Sequence, residues 1–204
     1  MPGNADETRR RILESGYALF YRQGFNRVGV DEIARAAGVT KRTLYYHFRS
    51  KDELLASVLQ RQHELALAQV RNWAEGLSGG AHEVFDSLFE DLAKWAAKPR
   101  YSGAGFTRVA MELADLPGHP ARAVARGHKA AIEQLIADVL ARAGVQAPAE
   151  SARETALLLE GAMALMLVHG DRAYAEAAAG AAKKLIASQS GFSSRRRNRA
   201  PARS

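Results

Sequence analysis

The chain has no cysteine, which removes disulfides, thiolate nucleophiles and thiolate metal ligands and fits a reducing compartment. It has no apolar run long enough for a bilayer. The most apolar stretch, residues 156–168, is interrupted by Glu160 and falls well short of the roughly 20 residues a spanning helix needs. The first residues carry no apolar core suited to export, so a soluble, cytoplasmic protein with no membrane partner is expected. No segment shows the polar–apolar alternation of a half-buried strand. The usual catalytic signatures are missing too: there is no G-x-S-x-G, no H-E-x-x-H, no P-loop, and no Glu followed three residues later by His. Gly103 and Gly105 begin a G-x-G pattern, but Arg108 stands where its third glycine belongs. The expectation is a protein that is not an enzyme and uses no cofactor and no metal.

Charge of one sign is also scarcer than the total suggests. The formal net charge is +7, of which five positive charges come from Arg195, Arg196, Arg197, Arg199 and Arg203, leaving +2 for everything before them. Bulk charge therefore does not establish a nucleic-acid partner, and the case must come from local pattern.

That pattern lies in residues 30–55, VDEIARAAGVTKRTLYYHFRSKDELL. Ile33, Ala34 and Ala37 share one face at helical spacing, and Gly38 supplies the left-handed stop. Thr40 is placed to cap a second helix, with its hydroxyl proton left for a phosphate. In that helix Leu44 and Phe48, four residues apart, define a buried side. Arg42 and Tyr46 then occupy the opposite side, flanked by Thr43 and Tyr45, with His47 and Lys51 extending the set of donors. A solvated helix face has no need of paired tyrosines, although tyrosines in helices are often half-buried core residues. Such a face in a major groove can place Arg on guanine and tyrosine hydroxyls on phosphate. Ser50 and Glu53 form a capping box for a third helix.

At these residues the chain resembles the TetR family of one-component transcriptional regulators. The shared pattern is an Ile-Ala pair, Ala-Gly-Val, a hydroxyl residue, Thr-Leu-Tyr-Tyr-His-Phe and Ser-Lys. The resemblance implies DNA contacts at Thr40, Lys41, Arg42, Thr43, Tyr45, Tyr46, His47 and Lys51. It departs at Val28 and Gly29, where family members often carry Thr or Ser; Gly29 still serves as an N-cap but brings no side-chain acceptor.

Elsewhere, Ile12, Gly16, Leu19 and Phe20 mark a helix from about 6 to 22, ahead of the reading pair. From Lys51 to Glu75 no Pro or Gly interrupts, giving one helix of about 37 Å by helical rise. Breakers at 76–80, 98–105, 116–120, 144–148 and 170 divide the rest into helical lengths. The expected fold is all-α, about nine helices. A helix-turn-helix head spans 1–50, an effector-binding and dimerisation body spans 51–190, and residues 191–204 form a disordered basic tail. That tail reads either as a solubilising extension or as an arm on phosphates.

Residues 156–168 are apolar nearly all round, so they need cover on more than one side. They pair either with the chain's own last helix or with a second copy. The resemblance implies a homodimer through a four-helix bundle, with Leu158, Ala162, Leu165, Ala178, Ala181 and Leu185 at the interface. It also implies a small-molecule effector, and the residues between head and interface suit an apolar or aromatic one: Trp73, Phe85, Phe89, Trp95, Phe106, Met111 and His128, all of which could equally be core. The function expected is ligand-responsive regulation, by repression, at a palindromic operator in double-stranded DNA. A low-specificity architectural DNA-binding protein is the alternative.

Overall fold

The computed structural model describes residues 4–99 and 101–197, with side chains described from 5 to 187. Nine helices and no strand are present among the described residues: α1 (Asn4–Gln23), α2 (Val30–Ala36), α3 (Lys41–His47), α4 (Lys51–Glu75), α5 (Ala81–Ala96), α6 (Gly105–Glu112), α7 (Pro120–Arg142), α8 (Pro148–His169) and α9 (Ala173–Arg197). Each expected breaker region separates two helices. Pro120 and Pro148 stand at the first positions of α7 and α8, where a missing N–H costs nothing and the fixed φ already suits a helix. α9 continues through Arg197 because no proline intervenes and arginine is a good helix former. It thus includes residues 191–197 of the expected tail. Residues 198–204 lie outside the described residues.

Packing divides the chain into two compact units, Met1–Gln69 with Ala104–Ala131 and Val70–Gly103 with Ile132–Ser204. In the first, Ile12, Phe20, Phe25, Val28, Ile33, Leu44, Phe48, Leu54, Leu55 and Val58 form one buried cluster. Leu113 and Ala121 belong to the same cluster, with Phe106, Val109 and Val124 packed against it. α6 and the start of α7 are thereby bound to the helices that precede residue 60. α4 and α7 each contribute to both units.

In the second unit α5, α8 and α9 pack on one another around Val84, Phe85, Phe89, Ile136, Leu140, Ala152, Ala162, Met166, Ala178 and Ala182. The alanines let the helix axes approach closely. Polar ties fix this core at its edge. The Trp73 indole N–H donates to Ser87 Oγ at 2.8 Å, the Tyr101 hydroxyl to the Met163 carbonyl at 2.9 Å and Arg142 to the Ala74 carbonyl at 3.0 Å.

Candidate nucleic-acid interface

α2 and α3 are short, and each end is fixed by its own sequence. Gly29 stands at the N-cap of α2 in extended conformation without a side-chain hydrogen bond. At the other end Gly38 has φ +65°, the Gly38 N–H donates to the Arg35 carbonyl and the Val39 N–H to the Ala34 carbonyl. This pair of bonds closes a Schellman turn, which needs a left-handed residue. The chain then enters α3 through Thr40, whose Oγ1 accepts the Thr43 N–H at 3.0 Å and lies 2.8 Å from Thr43 Oγ1. One hydroxyl proton is used between the two threonines, and the other remains for an outside acceptor.

Leu44 is fully buried and Phe48 nearly so, while Tyr46 is 82 % exposed and Tyr45 44 %. Lys41 and Arg42 are exposed, and Thr43 and His47 half-buried. The helix therefore presents Arg42, Tyr45 and Tyr46 outward, as its spacing predicts. Lys41 Nζ pairs with Asp31 at 3.1 Å on the surface. An exposed pair of this kind is worth about 0–1 kcal/mol, little enough for a phosphate to take the place of the carboxylate. His47 packs edge-on to Tyr46 and tilts against Phe48.

Two details differ from the sequence expectation. Ser50 Oγ accepts the Glu53 N–H at 3.0 Å, as a capping box requires, but the Glu53 carboxylate reaches back to the Arg49 N–H at 2.8 Å, one residue before the reciprocal position. Lys51 lies with Nζ 4.2 Å above the Phe25 ring. Burial lowers its pKa from the usual lysine value, against the charges of Asp52 and Glu112, which raise it. A cation held on a ring is a weaker offer to a phosphate than a free lysine.

The residues expected around an effector are divided between the two units. Phe85 and Phe89 are 1 % and 2 % exposed in the core of the second unit, with Trp73 and Trp95 packed against it. Phe106 and His128 lie in the first unit and stack, with ring centroids 3.7 Å apart and planes 11° from parallel. Met111, in the same unit, is 71 % exposed. The structure adds His63, absent from the sequence expectation: its Nδ1 stands 3.1 Å from His128 Nδ1, one imidazole donating to the other. Burial, then the charges of Lys129 and His63, hold the His128 pKa down at about 4. A lone histidine in α4 carries no signal; only the fold pairs it with another 65 residues on.

Of the residues expected at a dimer interface, Ala162 and Ala178 are buried in the chain's own core. Small alanines suit that role as well as they suit an interface, and periodicity alone does not separate the two. Leu158 is half-buried against the same core, Ala181 and Leu185 are half-buried, and Leu165 is 40 % exposed. Sequence reading missed the rest of the exposed stripe, Leu157, Ala164 and Val168, with Leu157 and Val168 over 70 % exposed. On a helix, residues 157, 161, 164, 165 and 168 share one face.

A family model described as bacterial regulatory proteins, tetR family, matches residues 12–58. SrpR of Pseudomonas putida, an HTH-type transcriptional regulator, is 47 % identical over 64 residues, which cover 31 % of this chain and 30 % of SrpR. The chain thus spans about a third of the length of that relative. The solved structures reach further. A putative TetR transcriptional regulator from Streptomyces avermitilis is 31 % identical with a TM-score of 0.73, covering 86 % of this chain and 98 % of that one. A TetR-family transcriptional regulator from Streptomyces coelicolor is 27 % identical with a TM-score of 0.80, covering 91 % and 97 %.

Proposed function

The chain belongs to the TetR family of bacterial transcriptional regulators, and we propose that it is a homodimeric repressor that reads a palindromic operator and leaves it when a small apolar or aromatic effector binds. The observation that carries this reading is the division of α3. Leu44 and Phe48 are buried on one side, and Arg42, Tyr45 and Tyr46 are exposed on the other. Arg42 is assigned to a guanine edge, and Thr40, Lys41, Thr43, Tyr45, Tyr46 and His47 to phosphates and neighbouring edges. Lys51 joins them once its ammonium leaves the Phe25 ring.

The exposed stripe of α8, Leu157, Ala164, Leu165 and Val168, supports dimerisation, with Ala181 and Leu185 of α9 beside it. A head of residues 1–50 then serves recognition, and a body of residues 51–190 serves dimerisation and effector binding. Two heads on one face of DNA require half-sites about 34 Å apart or a multiple of it. The effector contact is assigned to Phe106, His128 and His63, where an aromatic plane and an imidazole pair offer stacking and hydrogen bonding. An effector releases DNA only by binding more tightly to a state in which the head spacing is wrong. α4 is the element through which the two functions communicate, since it begins three residues after Phe48 and belongs to both units.

Selection of duplexes from a random pool by the full-length protein tests the proposal. A two-fold symmetric site, bound by a dimer in sedimentation, is the expected result. Recovery of unrelated sequences with equal affinity would replace it with the architectural alternative.

A further inference from the structure

The end of α6 reaches the turn that leads into α2. Glu112, its last residue, accepts the Phe25 N–H at 3.0 Å through Oε2 and the Asn26 N–H at 2.6 Å through Oε1. These contacts join residues more than 80 positions apart, and both N–H groups belong to a six-residue connection, 24–29, that ends at the N-cap of α2. Gly24 opens that connection with φ +86°, and a Cβ there would lie 3.4 Å from both carboxylate oxygens. Successive N–H groups after a left-handed residue form a concave anion cradle, and here the anion is a side chain of the same protein.

The surroundings tighten the contact. Arg108, one turn earlier on α6, donates to the Tyr21 carbonyl at 3.1 Å at the end of α1. Phe25 is buried, meeting His119 edge-on at 5.6 Å and Lys51 Nζ at 4.2 Å. α6 also carries Phe106 in its first turn, stacked on His128, so the latch lies at the opposite end of the helix from the imidazole contact.

We infer that Glu112 is a positioning residue for DNA recognition: its carboxylate holds the 24–29 turn against α6 and thereby sets the direction in which α2 and α3 leave it. The inference rests on α2 and α3 being the reading pair. A carboxylate accepting two backbone N–H groups is a charge-assisted, two-point contact, which fixes orientation as well as distance. No base or phosphate need touch Glu112 for its loss to be felt at the operator.

Glu112→Gln keeps the size of the side chain but removes the charge and turns an amide N–H toward a backbone N–H; Glu112→Ala removes the contact. Affinity for a duplex selected by the wild-type protein and for a random duplex is measured beside Arg42→Ala, with amide exchange followed at Phe25 and Asn26. Both Glu112 variants are expected to speed exchange at these two amides and to lower the selected-over-random affinity ratio at least tenfold. Random-duplex affinity should stay within twofold, and helicity should be unchanged. A purely structural role would lower the thermal midpoint and both affinities together, which would overturn the inference. So would wild-type amides that exchange as freely as exposed ones, or an unchanged ratio with accelerated exchange. If Arg42→Ala also leaves the ratio unchanged, the reading pair itself is misassigned; if only the Glu112 variants do, the latch alone fails. Should Glu112→Ala not fold, the Gln variant carries the test.

Discussion

His128 gives a stability prediction with a sign and a size. Its imidazole is 8 % exposed, faces His63 Nδ1 at 3.1 Å and has a pKa of about 4 in the folded chain, against about 6.5 for a free histidine. Above pH 6.5 the ring is neutral in both folded and unfolded chains, and no stability depends on it. Between pH 6.5 and 4 the unfolded chain binds a proton that the folded chain refuses, so stability falls as the pH falls. A depression of roughly 2.5 units corresponds to about 3 kcal/mol below pH 4, of which about 2 kcal/mol is already lost at pH 4.5. His128→Phe removes the titrating ring while preserving a plane for Phe106 to stack on. Urea unfolding followed by far-ultraviolet circular dichroism at pH 7 and pH 4.5, for wild type and variant, measures the difference. The wild type should lose about 2 kcal/mol more than the variant over that interval. Equal losses, or a larger loss in the variant, would refute a buried neutral imidazole at this position.

Two further outcomes follow from exposure and backbone conformation. Leu165→Glu leaves the chain's own core intact, because Leu165 is 40 % exposed beside Leu157 and Val168, yet places a charge at the centre of the proposed two-fold face, where burial is costly; sedimentation should show folded monomers that no longer bind the operator tightly, and a persistent dimer would remove this stripe from the interface. Gly38→Ala meets no clash, since the nearest atom to a new Cβ is Arg11 Nη1 at 3.7 Å, but φ +65° strains any L side chain. The urea midpoint should fall by the equivalent of about 1–2 kcal/mol, and an unchanged midpoint would contradict the left-handed turn.

What was legible in the sequence is what local pattern encodes. Gly and Pro punctuation marked the helix boundary regions other than the one between α3 and α4, which the Ser50 cap marked, because breakers and caps act on their own few residues. α3 was legible in full, since Leu44 and Phe48 fix one face and leave the other by exclusion. α8 was legible only as a helix apolar on too many sides. Which of its residues serve the chain's own core and which remain outside depends on the packing of α5 and α9, so Ala162 and Leu157 could not be sorted. Which core each aromatic joins was not legible, because spacing marks a buried face without naming its partner; Phe106 packs with α1–α4, and Phe85 with α8 and α9. The partners of Glu112 and His63 left no sequence signal, since each contact spans more than 60 residues.

The central claim is that the exposed side of α3 reads bases, and Arg42→Ala on the selected operator tests it most directly. Specific binding should weaken by about 1–3 kcal/mol, with relaxed preference at one base pair in each half-site and little change on random DNA. A variant that keeps both the affinity and the base preference of the wild type would contradict it.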